Sequence, residues 1–250
     1  MQTPFHLNGK TVLITGASSG IGRRAAIDCA AFGAIVVLTA RNTDRLNETL
    51  GQLQGEGHNI MPCDLLDEKA ISALAKAMPP LDGIVHCAGL VKPFPVAFLN
   101  AAKLNEIMYT NFYAPALLTA ALFKAKKIKD EASLVFLSSI SGQFPGKGNA
   151  MYASSKAALE TFAKTVASEY ISRRIRSNCI SPAMVKTPMY DYSSEGMFEE
   201  AMAEHVSKYP LGVGYPEDVS NAIIYFLSPA SKWVTGANLY MDGGFLLSNG

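Results

Sequence analysis

Short runs of apolar residues alternate along this chain with longer amphipathic stretches. The runs TVLIT (11–15), AIVVLTA (34–40), HNIMPCD (58–64), LDGIVHCAG (81–89), ASLVFLSS (132–139), IRSNCIS (175–181) and GANLYMDGG (236–244) read as strands. Between them lie helical segments. IGRRAAIDCAAF (21–32) stops at Gly33, and TDRLNETLGQL (43–53) is capped by Asn42 or Thr43. EKAISALAKAM (68–78), a long helix over 103–124 and another over 151–172 follow, and Pro216 opens the helix PEDVSNAIIYFL. Strands that are apolar throughout and alternate with helices predict a parallel sheet covered on both faces. The fold class expected is α/β, one doubly wound Rossmann-type domain over 1–250. The stretch 188–210, rich in Met, Tyr, Glu and Ser and placed after a strand end, is expected to be a substrate lid.

Composition narrows the function. The chain has 250 residues, 49% hydrophobic and 17% charged, with a formal net charge of +1. That argues against disorder and against a nucleic-acid-binding surface. No apolar run is long enough to span a membrane, and the N-terminus shows no secretory pattern. Cys29, Cys63, Cys87 and Cys179 form no C-x-x-C pair and read as reduced thiols of a cytoplasmic protein. His6, His58, His86 and His205 show no ligand spacing, so no metal is expected.

The stretch TGASSGIG (15–22) admits two readings. Its inner GASSG fits the G-x-S-x-G elbow of a hydrolase, with Ser18 as nucleophile. Only ten residues precede the first strand, however, and the only late histidine is His205. A P-loop is excluded because Gly22 is followed by Arg23 and Arg24. The phosphate-cradle reading accounts for each glycine. Gly16 permits the turn, Gly20 lets a pyrophosphate approach the backbone, and Gly22 lets the helix pack close to the sheet. Ser18, Ser19 and Ile21 then line the same turn, at a helix N-terminus that favours phosphate.

YASSK places Tyr152 and Lys156 one turn apart on one helical face. A lysine cation there would favour the phenolate and lower the tyrosine pKa, suiting Tyr152 to proton transfer. Ser139 ends the fifth strand, thirteen positions earlier. With TGASSGIG, Asp64, CAG (87–89), Asn111, SSISG (138–142), SPAMVKTPM (181–189) and MDGG (241–244), the order and intervals resemble the short-chain dehydrogenase/reductase family over nearly the whole chain. Within it the general resemblance is to the 3-oxoacyl-acyl-carrier-protein reductase group.

The resemblance implies hydride transfer between a nicotinamide and a ketone or secondary alcohol. Tyr152 is then the acid or base, Ser139 orients the carbonyl, Lys156 also binds the nicotinamide ribose, and Asn111 holds a water in a proton relay. Ser138 competes with Ser139, but the family interval favours Ser139. Pro182, Val185 and Thr187 are expected near the carboxamide, and Asp64 near the adenine unless it caps the next helix. Cys87, Ala88 and Gly89 stand where the family commonly has Asn-Ala-Gly, and Ala183 replaces a usual glycine. Arg41 follows the second strand where an NAD enzyme would carry an acid, so NADP(H) is expected over NAD(H), with Arg23 assisting. The implied substrate is a small-molecule or carrier-bound carbonyl compound, such as a 3-oxoacyl thioester. A sugar or polyol dehydrogenase and a non-catalytic nucleotide sensor are the alternatives. Family members are commonly tetramers or dimers, so a homo-oligomer is expected, with the helices 103–124 and 151–172 as candidate interfaces. KAKKIK (124–129) and RRIR (173–176) are either a docking patch for an acidic carrier or ordinary basic helix ends.

Overall fold

The computed structural model describes residues 3–189 and 199–248. Seven strands form one sheet: β1 (Thr11–Thr15), β2 (Ile35–Thr39), β3 (Asn59–Ile60), β4 (Leu81–His86), β5 (Ile128–Leu137), β6 (Arg176–Pro182) and β7 (Asn238–Met241). The helices are α1 (Gly20–Ala31), α2 (Thr43–Leu50), α3 (Glu68–Ala77), α4 (Ala101–Met108), α5 (Ala114–Lys124), α6 (Ala150–Glu169), α7 (Glu199–Ser207), α8 (Pro216–Leu227) and a short α9 (Phe245–Ser248). The strand order is β3-β2-β1-β4-β5-β6-β7, and every pairing is parallel. The order reverses between β1 and β4, which opens a crevice at the carboxyl ends of those strands.

Alternation along the strands builds the two faces. Val12, Ile14, Val36, Leu38, Val85 and Val135 pack with Ala25 and Ala26 of α1 and with Ile223 and Phe226 of α8. Leu13, Val37, Ile84, Leu134 and Phe136 pack with Ile71 of α3, Leu118 of α5 and Leu159 of α6. This is the Rossmann-type sheet, with helices on both faces, that the alternating pattern predicts. Among the described residues no helix is long and apolar enough to cross a membrane.

Four expectations change. The third strand shrinks from 58–64 to Asn59–Ile60 at the edge of the sheet. Only Met61 N to Leu38 O at 2.8 Å and Cys63 N to Ala40 O at 3.1 Å continue the pairing beyond it. The fifth strand begins earlier, at Ile128. The last strand is shorter than 236–244, ending at Met241. The long helix 103–124 is interrupted by a π-turn at Tyr109–Tyr113. Pro115 explains the break, since it has no amide to give the Asn111 carbonyl four residues back.

The basic clusters lie at the amino ends of β5 and β6, the edge of the sheet opposite the crevice. Arg173 bonds Asp130 at 2.7 Å, Arg174 bonds Glu131 at 2.9 Å and Lys129 bonds Asp82 at 2.9 Å. Arg176, 9% exposed, donates to Ser231 Oγ at 2.7 Å. Within one chain these clusters therefore lie at the edge of the sheet away from the crevice, and Lys129, Arg173, Arg174 and Arg176 have local partners.

The glycine turn is shaped by close approach. Gly16 has φ +66°, and a Cβ there would stand 2.9 Å from the Ala88 amide nitrogen. A Cβ on Gly22 would stand 2.3 Å from the Gly16 carbonyl oxygen. Gly22→Ala is therefore expected to cost roughly 1–3 kcal/mol of stability, seen as a lower denaturation midpoint. Gly146→Ala, where an added Cβ meets nothing within 4 Å, should leave the midpoint nearly unchanged. Equal midpoints for the two variants would mean that α1 does not pack as described.

Candidate active site

A cavity of about 430 Å³ opens at the carboxyl ends of β4, β5 and β6. Of the residues singled out in the sequence, Ile21, Cys87, Gly89, Ser139, Tyr152, Lys156, Pro182, Val185 and Thr187 line it. Gly16, Ser18, Ser19, Gly20, Gly22 and Ala88 form the turn beside it rather than its wall. Arg41, Asp64 and Asn111 also lie off the wall.

Ser139 follows the last residue of β5 and caps a 3-10 turn at Ile140–Gly142, its Oγ accepting from Ser141 N at 3.2 Å. Tyr152 sits in the first turn of α6. Burial pushes the Tyr152 phenol above its ordinary pKa, and a hydrogen bond with Ser139 partly offsets this. Ser138 points elsewhere, donating to Glu160 Oε1 at 2.8 Å and lying 3.2 Å from the Lys156 carbonyl. Adjacent strand residues face opposite ways, and the geometry gives Ser139 to the tyrosine.

Lys156 is 5% exposed. Its Nζ donates to the Leu137 carbonyl at 2.6 Å and stands 5.6 Å from the centre of the Tyr152 ring. Burial lowers its pKa to about 8, against smaller raising effects of Cys87, Cys179 and Glu160. The expectation that this lysine pulls the phenol pKa down is corrected. The ammonium is turned to a backbone carbonyl, and the balance at Tyr152 is set by burial and Ser139.

Asn111 is fully buried inside the π-turn. Its side chain closes on both backbone groups of Leu90, accepting from the amide at 2.8 Å and donating to the carbonyl at 2.9 Å, and it donates to Ser155 Oγ at 3.0 Å. Its amide is thus committed to holding the 89–90 segment. Its backbone carbonyl lacks the helical donor that a non-proline residue at 115 would supply.

The residues beside the glycine turn could hold a dinucleotide. The N-terminus of α1 opens onto the crevice, and the positive φ at Gly16 and Gly20 leaves backbone where side chains would obstruct. Arg41 is exposed at the end of β2. Arg23 does not stand free beside it: its guanidinium donates to the Ser18 carbonyl at 2.7 Å and to Glu48 at 3.0 Å. Asp64 is exposed and accepts from Leu66 N at 3.0 Å, whereas the cap of α3 is Asp67. The capping alternative for Asp64 is therefore set aside. Cys87 is compatible with the site because its backbone is held from elsewhere. Thr15 Oγ1 accepts from the amides of Cys87 at 3.1 Å and Ala88 at 3.2 Å. Ala183 fits likewise, its amide donating to the Met241 carbonyl at 2.9 Å.

Sequence reasoning missed Thr15, Glu160 and two aromatics of the far wall, Phe144 and Phe245, which stand there with His205 and Tyr209. His205 and Tyr209 belong to the segment read as a lid; residues 190–198 of that segment lie outside the described residues. Glu160 was legible in principle, four positions after Lys156 on the same helical face. Among the described residues no cluster of His, Cys, Asp and Glu could hold a metal ion.

Residues 16–246 match the family model described as enoyl-(acyl carrier protein) reductase. A tropinone reductase homolog of Arabidopsis thaliana is 32% identical over 98% of this chain and 95% of its own. The 3-oxoacyl-(acyl-carrier-protein) reductase FabG of Rickettsia felis is 31% identical over 96% and 98%. Among solved structures, a putative NAD(P)-dependent gluconate 5-dehydrogenase of Beutenbergia cavernae with bound NADP superposes with a TM-score of 0.89 at 28% identity, covering 98% of this chain and 100% of that one. The chain belongs to the short-chain dehydrogenase/reductase superfamily, whose enzymes are NAD(P)-dependent oxidoreductases. The similarity is as great to the tropinone reductase homolog as to FabG, so it does not single out the 3-oxoacyl group expected from the sequence.

The buried lysine has a consequence for stability. Its folded pKa, about 8, lies below the 10.5 of an exposed lysine, so carrying its charge opposes folding below about pH 8. That opposition fades as pH rises toward the unfolded value. Relative to Lys156→Met, the wild type is expected to gain stability between pH 7 and pH 10, by at most about 3 kcal/mol. Urea denaturation of both proteins at both pH values checks this. A constant difference would place the lysine in water.

Proposed function

We propose that the protein is an NADP(H)-dependent reductase of ketones, interconverting a ketone and its secondary alcohol. The observation that carries the reading is that Ser139, Tyr152 and Lys156 line one cavity wall, with the Lys156 ammonium 5.6 Å from the centre of the Tyr152 ring. The cofactor, when bound, supplies or accepts the hydride. Ser139 Oγ donates to the substrate oxygen, where negative charge develops as the carbonyl is reduced. Tyr152 Oη, kept protonated by its burial, delivers the proton to that oxygen. The same proton returns to Tyr152 when an alcohol is oxidised. Lys156 is the cation for the nicotinamide ribose, and the Asn111 carbonyl anchors the relay water that restores the proton.

Arg41 supports NADP(H), since a planar cationic fork suits a 2′-phosphate and Ala40 offers no carboxylate to a ribose hydroxyl. The cavity walls support an apolar substrate. Leu90, Val91, Phe144, Met184 and Phe245 line it, and no carboxylate does among the described residues. A sugar or polyol would ask for more polar partners than these. The placement of the basic clusters favours a free small molecule over a carrier-bound one. Met189, His205 and Tyr209 line the cavity from either side of 190–198, which supports a lid role for 188–210. Leu239 and Tyr240, 38% and 41% exposed on the edge strand β7, support a homo-oligomer that covers them.

A panel of apolar ketones, sugars and acyl thioesters, assayed by nicotinamide absorbance with both cofactors, tests the reading. Turnover is expected with NADPH and an apolar ketone. Tyr152→Phe should lose ~100-fold or more in kcat while binding NADPH as before. Arg41→Ala should weaken NADPH by roughly tenfold or more and NADH little. Near-normal turnover in the first variant, or equal losses for both cofactors in the second, would refute the assigned roles.

A further inference from the structure

Tyr152, Lys156 and Glu160 stand at four-residue intervals on α6 and share one face of it. The first two are used by the proposed function, on which this inference rests. Glu160 is not, yet it is only 2% exposed. A carboxylate so placed is costly unless donors meet its oxygens. Oε1 accepts from Ser138 Oγ at 2.8 Å and lies 3.2 Å from Ser181 Oγ, and Oε2 accepts from Gln143 Nε2 at 2.8 Å. Ser181 also lies 2.7 Å from Asn238 Oδ1, so its single proton is shared, and Ser138 and Gln143 are the firmer ties. A Cβ on Gly142 would stand 2.8 Å from Oε1, so the backbone of the turn closes directly over the carboxylate.

The three tied segments carry the working groups. Ser139 follows Ser138, Pro182 follows Ser181, and Gln143 ends the turn that Ser139 caps. The groups facing Lys156 are Tyr152 and Glu160 from α6, Cys87 after β4 and Cys179 from β6. Burial pushes both thiols up to about 12, so they are uncharged where Lys156 titrates. Tyr152 is likewise neutral there, its phenol being pushed up by burial. Glu160 is the one carboxyl group among them.

We infer that Glu160 is a positioning residue of this site: its buried carboxylate clamps the ends of β5 and β6 and the turn after Ser139 against α6, one helical turn from Lys156 on the same face.

The test follows Lys156 by NMR of protein labelled with 13C at the lysine ε-carbon, the resonance being assigned by its loss in Lys156→Met. Wild type, Glu160→Gln and Glu160→Asp are titrated. The midpoint in Glu160→Gln is expected to fall by about half a pH unit or more relative to wild type, and to stay near wild type in Glu160→Asp, which keeps the charge. The acidic displacement should reappear in the pH profile of kcat for Glu160→Gln and be reversed by Asp. An unchanged midpoint in Glu160→Gln overturns the inference, as does an equal displacement in both variants. Should Glu160→Gln not fold, Ser138→Ala decides: faster hydrogen exchange confined to 138–143 with an unmoved Lys156 midpoint supports the clamp, and unaltered exchange overturns it. The lysine titration needs no substrate. A protein that turned over none of the ketones would sink the proposed function and leave this result to be judged by itself.

Discussion

A cation held out of water is the constraint around which this site is arranged. Lys156 is 5% exposed, and its ammonium is met by the Leu137 carbonyl at 2.6 Å. That bond ties α6 to the last residue of β5. It fixes the helix at the point where its first turn carries Tyr152 and the strand at the point where it delivers Ser139. Burial that lowers its pKa sets this charge against the fold at neutral pH. Burial of this kind is what a site does when it needs the charge more than the fold does.

The sheet topology makes the arrangement possible. Parallel strands end on one edge, so β1, β4, β5 and β6 bring a glycine turn, the Cys87–Gly89 segment, Ser139 and the 182–187 segment to a common crevice. Backbone contacts keep the crevice narrow. Thr15 holds the amides after β4, Gly22 lets α1 press on the turn, and Asn111 fastens the Leu90 backbone from a π-turn in the opposite layer. Each of these acts on main chain rather than on a ligand, so the shape of the crevice is a property of the fold itself.

Much of this was legible in the sequence because it depends on short-range periodicity. The alternation of apolar strands with helices is a local signal, as are the four-residue step from Tyr152 to Lys156 and the glycines of 16–22. What was not legible depends on direction in space. The sequence places a cation one turn from a phenol; that its Nζ turns to a strand carbonyl follows only from where β5 ends. The basic runs at 124–129 and 173–176 follow helices and so end away from the catalytic side chains, but that Asp82, Asp130 and Glu131 meet them follows only from strand order. That α2 brings Glu48 to Arg23 likewise follows only from the fold. The π-turn had a local sign in Pro115, but a helical pattern continuing on both sides hides it.

In the proposed reaction this crevice passes a hydride between a nicotinamide and a carbonyl carbon while Tyr152 handles the proton. The most direct measurement uses NADPH deuterated at either face of C4, incubated with the best ketone of the panel, and mass analysis of the alcohol formed. The account predicts deuterium on the carbinol carbon from one of the two epimers and none from the other. Alcohol formed without label from either epimer, or no NADPH-dependent alcohol from any ketone, would contradict it.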